Sequence, residues 1–307
     1  MKKQKQPVDR DLVDRSFFAR VEPFLYLLPF LIGIAVFTLY PVINVVLMSF
    51  KEGYSYLSRG FDQWGLANYQ TVLSDPKFSQ AIGNTLKYVI LVVPISTCIA
   101  VVVAYLLNQK LRFSAVFQTA YFLPMVTSVT AVGLVWKWMF NYDYGLINYA
   151  LSLFGVSPVN WLNDPHYNLA ALIIYGIWSM LPFTIILLLS GFQNINPQYY
   201  TAARIDGANE LQIFTRIMFP LGSSVTVTLT IFSFMWRWND YILPLLVLSD
   251  QKKYTIQIAI KNFIGNLGVD WSSILAASVL SILPVIVIFI FLQKYIIGGI
   301  SASGVKG

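Results

Sequence analysis

The 307-residue chain is 57% hydrophobic and 11% charged, against roughly 25% charged for an average water-soluble domain, which excludes a globular fold bathed in water. A formal net charge of +7 does not point to nucleic acid, because the basic residues form no dense stripe interleaved with aromatics. The only cysteine, Cys98, sits in an apolar run with nothing to bridge to, so no disulfide framework is available.

In chain order, residues 1–22 form a basic tail with Lys2, Lys3, Lys5, Arg10, Arg15 and Arg20, which the positive-inside rule places in the cytoplasm. The apolar run that follows, 24–50, is too long for a secretory core of about 7–15 residues and ends without a small-residue cleavage site, so it is predicted to stay as a span. Further apolar runs at 83–107, 114–138, 168–192, 222–248 and 272–297 each reach the roughly 20 residues that cross a hydrocarbon core. They lack the alternating segments of barrel strands and are predicted as helices.

The expected fold is therefore an all-α membrane protein with six transmembrane helices. It divides into a tail at 1–22, a first helix and outer loop at 23–82, a core at 83–298 containing the loop 193–221, and a C-terminal tail at 299–307. Both termini and the loops 108–113 and 193–221 then face the cytoplasm; twelve Lys and Arg fall on that side and six on the other. Pro29, Pro41, Pro94, Pro124, Pro182, Pro244 and Pro284 lie inside the spans. Each frees a carbonyl and bends its helix, which lets a bundle enclose a cavity, although proline is frequent in membrane helices in any case.

The loop after Gln193 reads NINPQYYTAARIDGANELQIFTRIMFPLGSS, long enough to ask for a function. Ala202, Ala203 and Arg204 favour helix, Gly207 is a C-terminal breaker, and Asn209 can cap a second helix through Phe214 to Ile217 that Pro220 stops. Two short helices around a glycine corner are predicted. An amphipathic hairpin that merely links two spans is the bland alternative.

This loop resembles the cytoplasmic signature of the permease subunits of ABC importers: E-A-A, three residues, Gly, nine residues, then I-x-L-P. Here Thr201-Ala202-Ala203 is followed by Arg204-Ile205-Asp206, Gly207, nine residues, and Ile217-Met218-Phe219-Pro220. Thr201 stands where the signature has glutamate and Phe219 where it has leucine. The Asp206-Gly207-Ala208 triplet and Phe214 are similar to the carbohydrate-uptake branch, as are Gly65-Leu66-Ala67-Asn68-Tyr69, Asn84-Thr85, Trp178-Leu181-Pro182-Phe183 and Gly304-Val305-Lys306-Gly307. Ala120 to Pro124 and Asp143 to Asn148 look like one permease type, whereas Trp238-Asn239-Asp240-Tyr241 and Gly298 to Ser301 look like its partner type.

The resemblance implies a type I ABC importer permease bundle with cytoplasmic coupling helices in a bacterial cytoplasmic membrane. It implies a second permease subunit (a heterodimer by default, a homodimer as the alternative), two ATPase subunits that carry ATP and magnesium, and an external substrate-binding protein. Thr201, Ala202, Ala203, Asp206, Gly207, Ala208, Phe214, Ile217 and Pro220 would form the ATPase-coupling loop, with small alanines for close approach and Phe214, Ile217 and Phe219 as apolar anchors. No cofactor is expected on this chain, which has no Gly-rich loop ending in Lys-Ser/Thr to hold nucleotide phosphates.

Arg237 and Asp240 fall inside the predicted fifth span, where charge is expensive and marks a functional candidate. Their i,i+3 spacing suggests an intramembrane ion pair, and mutual neutralisation or bracing is favoured over contact with substrate. Around them Trp236, Trp238, Asn239 and Tyr241 supply the aromatic faces and directional partners that suit a sugar; Asn239 is the first candidate for a pore-lining group. Interfacial aromatic belts would account for much of the aromatic content regardless. Gln118, Thr127, Ser128, Thr130, Ser179 and Thr184 either line the same path or satisfy bent backbone. His166 has no ligand-spaced companions, so no metal site is predicted.

Import of a carbohydrate by alternating access is the leading reading, with glycerol phosphate or a polyol as alternative cargo. An ion-coupled secondary carrier would favour membrane-buried acids on broken helices, and Asp240 is the sole acid clearly within a predicted span. An intramembrane hydrolase lacks an acidic dyad, a Ser-His arrangement or a metal-spaced set.

Overall fold

The computed structural model describes residues 17–304 apart from 56–57, 59, 110–113, 262 and 266–267. Lys2, Lys3, Lys5, Arg10, Arg15, Arg59, Lys110, Arg112 and the Val305-Lys306-Gly307 end lie outside the described residues. Helices dominate because apolar segments in lipid must satisfy their backbone groups internally.

The first span is α1 (Phe17–Ile34), one π turn (Ala35–Leu39) and α2 (Tyr40–Ser49). No residue of its most apolar stretch is buried in the single chain. The π turn ends two residues before Pro41, where the Tyr40 N–H reaches back five residues to the Ala35 carbonyl. A proline ring crowds the carbonyl four residues earlier, and one widened turn relieves that crowding without breaking the helix. The same arrangement recurs before Pro220, described below.

A two-stranded hairpin, β1 (Lys51–Glu52) with β2 (Gln63–Trp64), leads into α3 (Ala67–Ser74). Asp75 then caps α4 (Pro76–Asn108) by accepting the Lys77 N–H at 2.8 Å, with Pro76 in the first turn. The expected start at 83 is thus corrected by seven residues: an Asp-Pro pair is a stronger start signal than the first apolar residue. At about 1.5 Å per residue, α4 is roughly 50 Å long and outreaches the hydrocarbon core.

The third span is not one helix. α5 (Ser114–Val126) and α6 (Val129–Met139) meet at 104°. Pro124 lies inside α5, Thr127 Oγ1 donates back to the Leu123 carbonyl at 2.9 Å, and Ser128 is extended at the break. After α7 (Leu146–Ser152), α8 (Asn168–Gln193) crosses unbroken.

The hairpin of α9 (Pro197–Ile205) and α10 (Glu210–Ile213) follows, continued by a π turn (Phe214–Met218) and α11 (Phe219–Leu221). A bend of 66° at Gly222 turns this segment into α12 (Ser223–Trp238). The expectation that Pro220 stops the helix is corrected, because the π turn absorbs the proline and the chain breaks at Gly222. The fifth span, expected as continuous over 222–248, is likewise broken at 239–241 before α13 (Ile242–Val247). After α14 (Ile256–Lys261) and the hairpin of β3 (Ile264–Gly265) with β4 (Gly268–Val269), α15 (Trp271–Gly304) runs into the segment expected as a tail from 299.

Among the described residues, four helices are long and apolar enough to cross a membrane, and two bent pairs bring the total to six. At the centre α4 packs along α8, with α12 against both and against α15. Gly176 sets the closest approach, since a Cβ there would lie 2.9 Å from the Tyr88 ring. Tyr88, Val92, Tyr175 and Trp238 form one buried cluster, and Ala100, Ala104, Leu188 and Phe192 a second nearer the hairpin.

Three asparagines quoted for the resemblance pin the loops at the end opposite the hairpin. Asn68 Nδ2 donates to the Ser49 and Lys51 carbonyls at 2.8 and 3.0 Å, and Asn84 Nδ2 to those of Lys252 and Tyr254 at 2.9 and 3.1 Å. Asn148, 5% exposed, accepts from the Val159 N–H and Trp161 Nε1 and donates to the Tyr142 and Val159 carbonyls. Asn148→Ala orphans several of these buried groups, each costing about 1–3 kcal/mol. A clear fall in the melting temperature of the detergent-solubilised protein is expected; an unchanged melt would show that the loop does not depend on this residue.

Candidate functional site: an exposed helical hairpin and a buried ion pair

The hairpin is built by its termini. Asn196 caps α9 by accepting the Gln198 N–H at 3.0 Å, with Pro197 in the first turn. At the other end, the Ala208 N–H reaches the Ala203 carbonyl (2.9 Å) and the Gly207 N–H the Arg204 carbonyl (3.1 Å). This Schellman closure requires the left-handed conformation that Gly207 adopts at φ +82°. Asn209 and Gln212 then cap α10 reciprocally, each side chain accepting the other's backbone N–H at 2.8 and 2.9 Å.

Arg204 bridges the corner to Glu210, with Nε to Oε1 at 2.9 Å and the second nitrogen to Oε2 at 3.3 Å. Both side chains are more than half exposed, so the pair fixes geometry more than it adds stability. The Arg204 hydrogen bond holds the Glu210 carboxyl below the usual carboxylate range. Its contribution is therefore present at neutral pH and is lost only as pH falls through that lowered value.

Thr201, Ala202, Asp206 and Gly207 lie exposed on the hairpin, Ala208 is half-buried, and Ala203 is buried. Thr201 Oγ1 donates to the Pro197 carbonyl at 3.3 Å. Pro220 is exposed and Ile217 half-buried. Phe214, expected as an outward anchor, packs inward on Tyr105 of α4 with ring centroids 4.7 Å apart. Phe219, the third expected anchor, is exposed, but the apolar side chains of the two hairpin helices that face outward most are Ile205 and Leu211, 81% and 71% exposed. Helix periodicity on so short a hairpin does not reveal which face the bundle claims, so the sequence pattern passed over both.

Within the bundle, Arg237 Nη1 lies 2.7 Å from Asp240 Oδ2, and both side chains are nearly buried. The pair does not share a helical face, because α12 ends at Trp238 and Asp240 sits in the break that follows. Asp240 serves both sides of that break: Oδ1 accepts the Leu243 N–H of α13, while Oδ2 takes Arg237 and the Tyr88 hydroxyl at 3.2 Å. Arg237 also donates to the Tyr88 and Ser179 hydroxyls at 3.2 and 2.8 Å. The cluster thus ties α4, α8, α12 and α13 together. Nothing in the apolar run of α4 marks Tyr88 as a member.

Three adjoining cavities of about 290, 350 and 340 Å³ share Pro124 and Trp178 in their walls. The 350 Å³ cavity adds Thr127, Tyr175, Ser179, Trp236, Arg237 and Asp240. Pro124, Met125, Thr127 and Val129, at the α5–α6 break, form one side of its wall. Trp238 is corrected out of the pathway set: it is 1% exposed, stacks on Phe234, and donates to the Ser281 carbonyl at 2.8 Å. Asn239 and Tyr241 do not line this cavity. Asn239 donates to the Met235 carbonyl at 2.9 Å and accepts from Gln257 at 3.3 Å, while Tyr241 meets Lys261 at 3.2 Å.

Of the other polar candidates, Thr184 is buried and bonds the Met180 carbonyl at 3.0 Å. Gln118 is half-buried, and Ser128 and Thr130 are exposed. His166 is exposed and lies 2.9 Å from Asp164. Among the described residues no group of His, Cys, Asp and Glu is arranged to hold a metal ion.

The chain is 29% identical over 279 residues to the arabinooligosaccharides transport system permease protein AraP of Bacillus subtilis, spanning 90% of this chain and 88% of that one. It is 34% identical over 216 residues to the lactose transport system permease protein LacF of Rhizobium radiobacter, spanning 69% and 71%. Its fold matches a chain in the crystal structure of a bacterial alginate ABC transporter, solved with an alginate pentasaccharide-bound periplasmic protein. The TM-score is 0.77 at 22% identity, covering 91% of this chain and 96% of that one. Residues 96–301 match the model of the family described as the binding-protein-dependent transport system inner membrane component. With that match running through the hairpin, the ion pair and the cavities, the chain belongs to this family, the membrane-spanning permease subunits of ABC importers.

Proposed function

We propose that this permease passes a neutral saccharide, most simply an oligosaccharide, across a bacterial cytoplasmic membrane by alternating access. The observation that supports this is the cavity of about 350 Å³ beside the buried pair. Trp178, Trp236 and Tyr175 offer flat faces for the C–H side of a sugar ring, and Ser179 and Thr127 offer hydroxyl partners. Among the described residues, Arg237 is the one cation in its lining and is already paired with Asp240, which argues against a phosphorylated cargo. The same pairing, together with the Leu243 N–H, occupies Asp240 and argues against its service as a proton carrier. The relatives named for arabinooligosaccharides and lactose support the substrate class.

In this reading the hairpin end faces the cytoplasm, as do both termini, and the loops pinned by Asn68, Asn84 and Asn148 face outward to meet a substrate-binding protein. Two ATPase subunits, which bind ATP and magnesium, receive the hairpin. A second permease subunit covers the exposed apolar faces of α1, α2, α5 and α6; a heterodimer is the default, as the resemblance implies, and the mixed type of the sequence keeps a homodimer as the alternative.

The test is ATP hydrolysis by the reconstituted importer with its binding protein and a panel of maltose, lactose, arabinobiose and glycerol 3-phosphate. Stimulation by a neutral saccharide is expected. Stimulation by glycerol 3-phosphate alone, or uptake driven by an ion gradient without ATPase, overturns the reading. Within it, Trp178→Ala is expected to raise the KM for uptake roughly fivefold, since an aromatic face contributes about 1 kcal/mol. An unchanged KM would remove Trp178 from the path.

A further inference from the structure

We propose that the cavity between the hairpin and the ends of α4 and α8 is a second saccharide site, which binds released product and brakes the transport cycle. The inference rests on the neutral-saccharide reading above. The cavity measures about 450 Å³ and lies among Tyr105 and Asn108 of α4, Gln193 of α8, Tyr200 and Arg204 of α9, and Glu210 of α10. That volume lies within the range of small-molecule sites, roughly 300–1,000 Å³. It is separate from the Trp178 cavities, with which it shares no lining residue.

Its chemistry selects a ligand class. Among the described residues, the two charged ones in the lining, Arg204 and Glu210, neutralise each other and leave no free cation of their own for a phosphate or carboxylate. The floor is apolar, with Phe192, Ile213 and Met218 at 2% exposure or less. Above it stand two phenol rings and the amides of Asn108 and Gln193, which present donors and acceptors together. The Tyr200 hydroxyl is buried without a hydrogen-bond partner, and such a group costs free energy until one arrives. A sugar ring answers these features, with a C–H face for the rings and hydroxyls for the amides, and for the Tyr200 hydroxyl once its ring turns toward the cavity. An acyl chain would use the floor and leave the amides and Tyr200 unanswered.

Position supplies the effect. One wall is the hairpin and the other is the bundle, and the Tyr105 hydroxyl already reaches the Glu210 carbonyl at 3.5 Å. A ring lodged between them holds the hairpin at a fixed distance from α4 and α8. Motion of the hairpin against the bundle is then opposed while product is abundant on that side.

The experiment uses the complete importer in vesicles, with ATPase subunits outward and binding protein plus saccharide enclosed. Maltose, lactose or arabinobiose, whichever drives hydrolysis from the lumen, is then added outside. Hydrolysis by the wild type is expected to fall several-fold. In Gln193→Leu and in Tyr200→Phe the half-inhibitory concentration is expected to rise tenfold or more, each variant compared with its own uninhibited rate. Absence of inhibition, or inhibition equal in wild type and both variants, as rebinding at the Trp178 cavities would give, overturns the inference and leaves the saccharide reading standing. Failure of all three sugars to stimulate hydrolysis from the lumen overturns that reading and the inference with it.

Discussion

Gly207→Pro is expected to abolish ATP-coupled uptake while the chain still inserts in the membrane. Proline fixes φ near −65°, whereas Gly207 sits at φ +82°. The substitution also deletes the N–H that closes on the Arg204 carbonyl at 3.1 Å. Neither loss can be absorbed locally: α9 must end otherwise, and Arg204 then loses its register with Glu210. The spans themselves, which depend on apolar length rather than on this corner, are untouched. Gly207→Ala separates conformation from bulk. A Cβ there meets nothing within 4 Å, so the cost is only the left-handed backbone, about 1–2 kcal/mol, and a partial loss of coupling is expected. Uptake and ATP hydrolysis measured together in proteoliposomes decide it. Normal uptake in Gly207→Pro would show the hairpin to be a mere connector.

Arg237→Leu is expected to be the most destabilising single change in the bundle. It leaves Asp240 nearly buried and short of its closest partner, a situation that costs about 3–5 kcal/mol. Loss of the Ser179 and Tyr88 contacts adds to this by releasing α8 and α4 from the break after Trp238. The double variant Arg237→Leu/Asp240→Leu removes both charges and is expected to recover much of the melting temperature, since a buried pair replaced by apolar groups is often near neutral. If the double variant recovers stability and also retains its KM for uptake, the pair braces helices. If stability returns while KM rises sharply, the pair contacts substrate as well. A single variant that melts with the wild type would remove the structural role altogether.

The hairpin's corner was legible because it is local: Gly207, the Asn209 cap and the alanines act within a few residues of one another. Ile205, Leu211 and Phe214 were not, since which side of a two-turn helix faces out depends on where α4 lies. The two broken spans were misread for the same kind of reason. Hydropathy sees 114–138 and 222–248 as continuous, yet a break survives in a membrane wherever side chains such as Thr127 and Asp240 satisfy the freed backbone.

Apolar length and loop spacing by themselves determined that the chain is a helical membrane protein and that the loop 193–221 forms its distinctive hairpin, because lipid permits few structures and capping is read residue by residue. Only the tertiary structure decided that Tyr88 and Ser179 join Arg237 and Asp240, that Trp238 is core rather than pathway, and that Trp178 commands the cavities. Those outcomes turn on helix rotation and contacts between residues far apart in the chain, which no local pattern encodes.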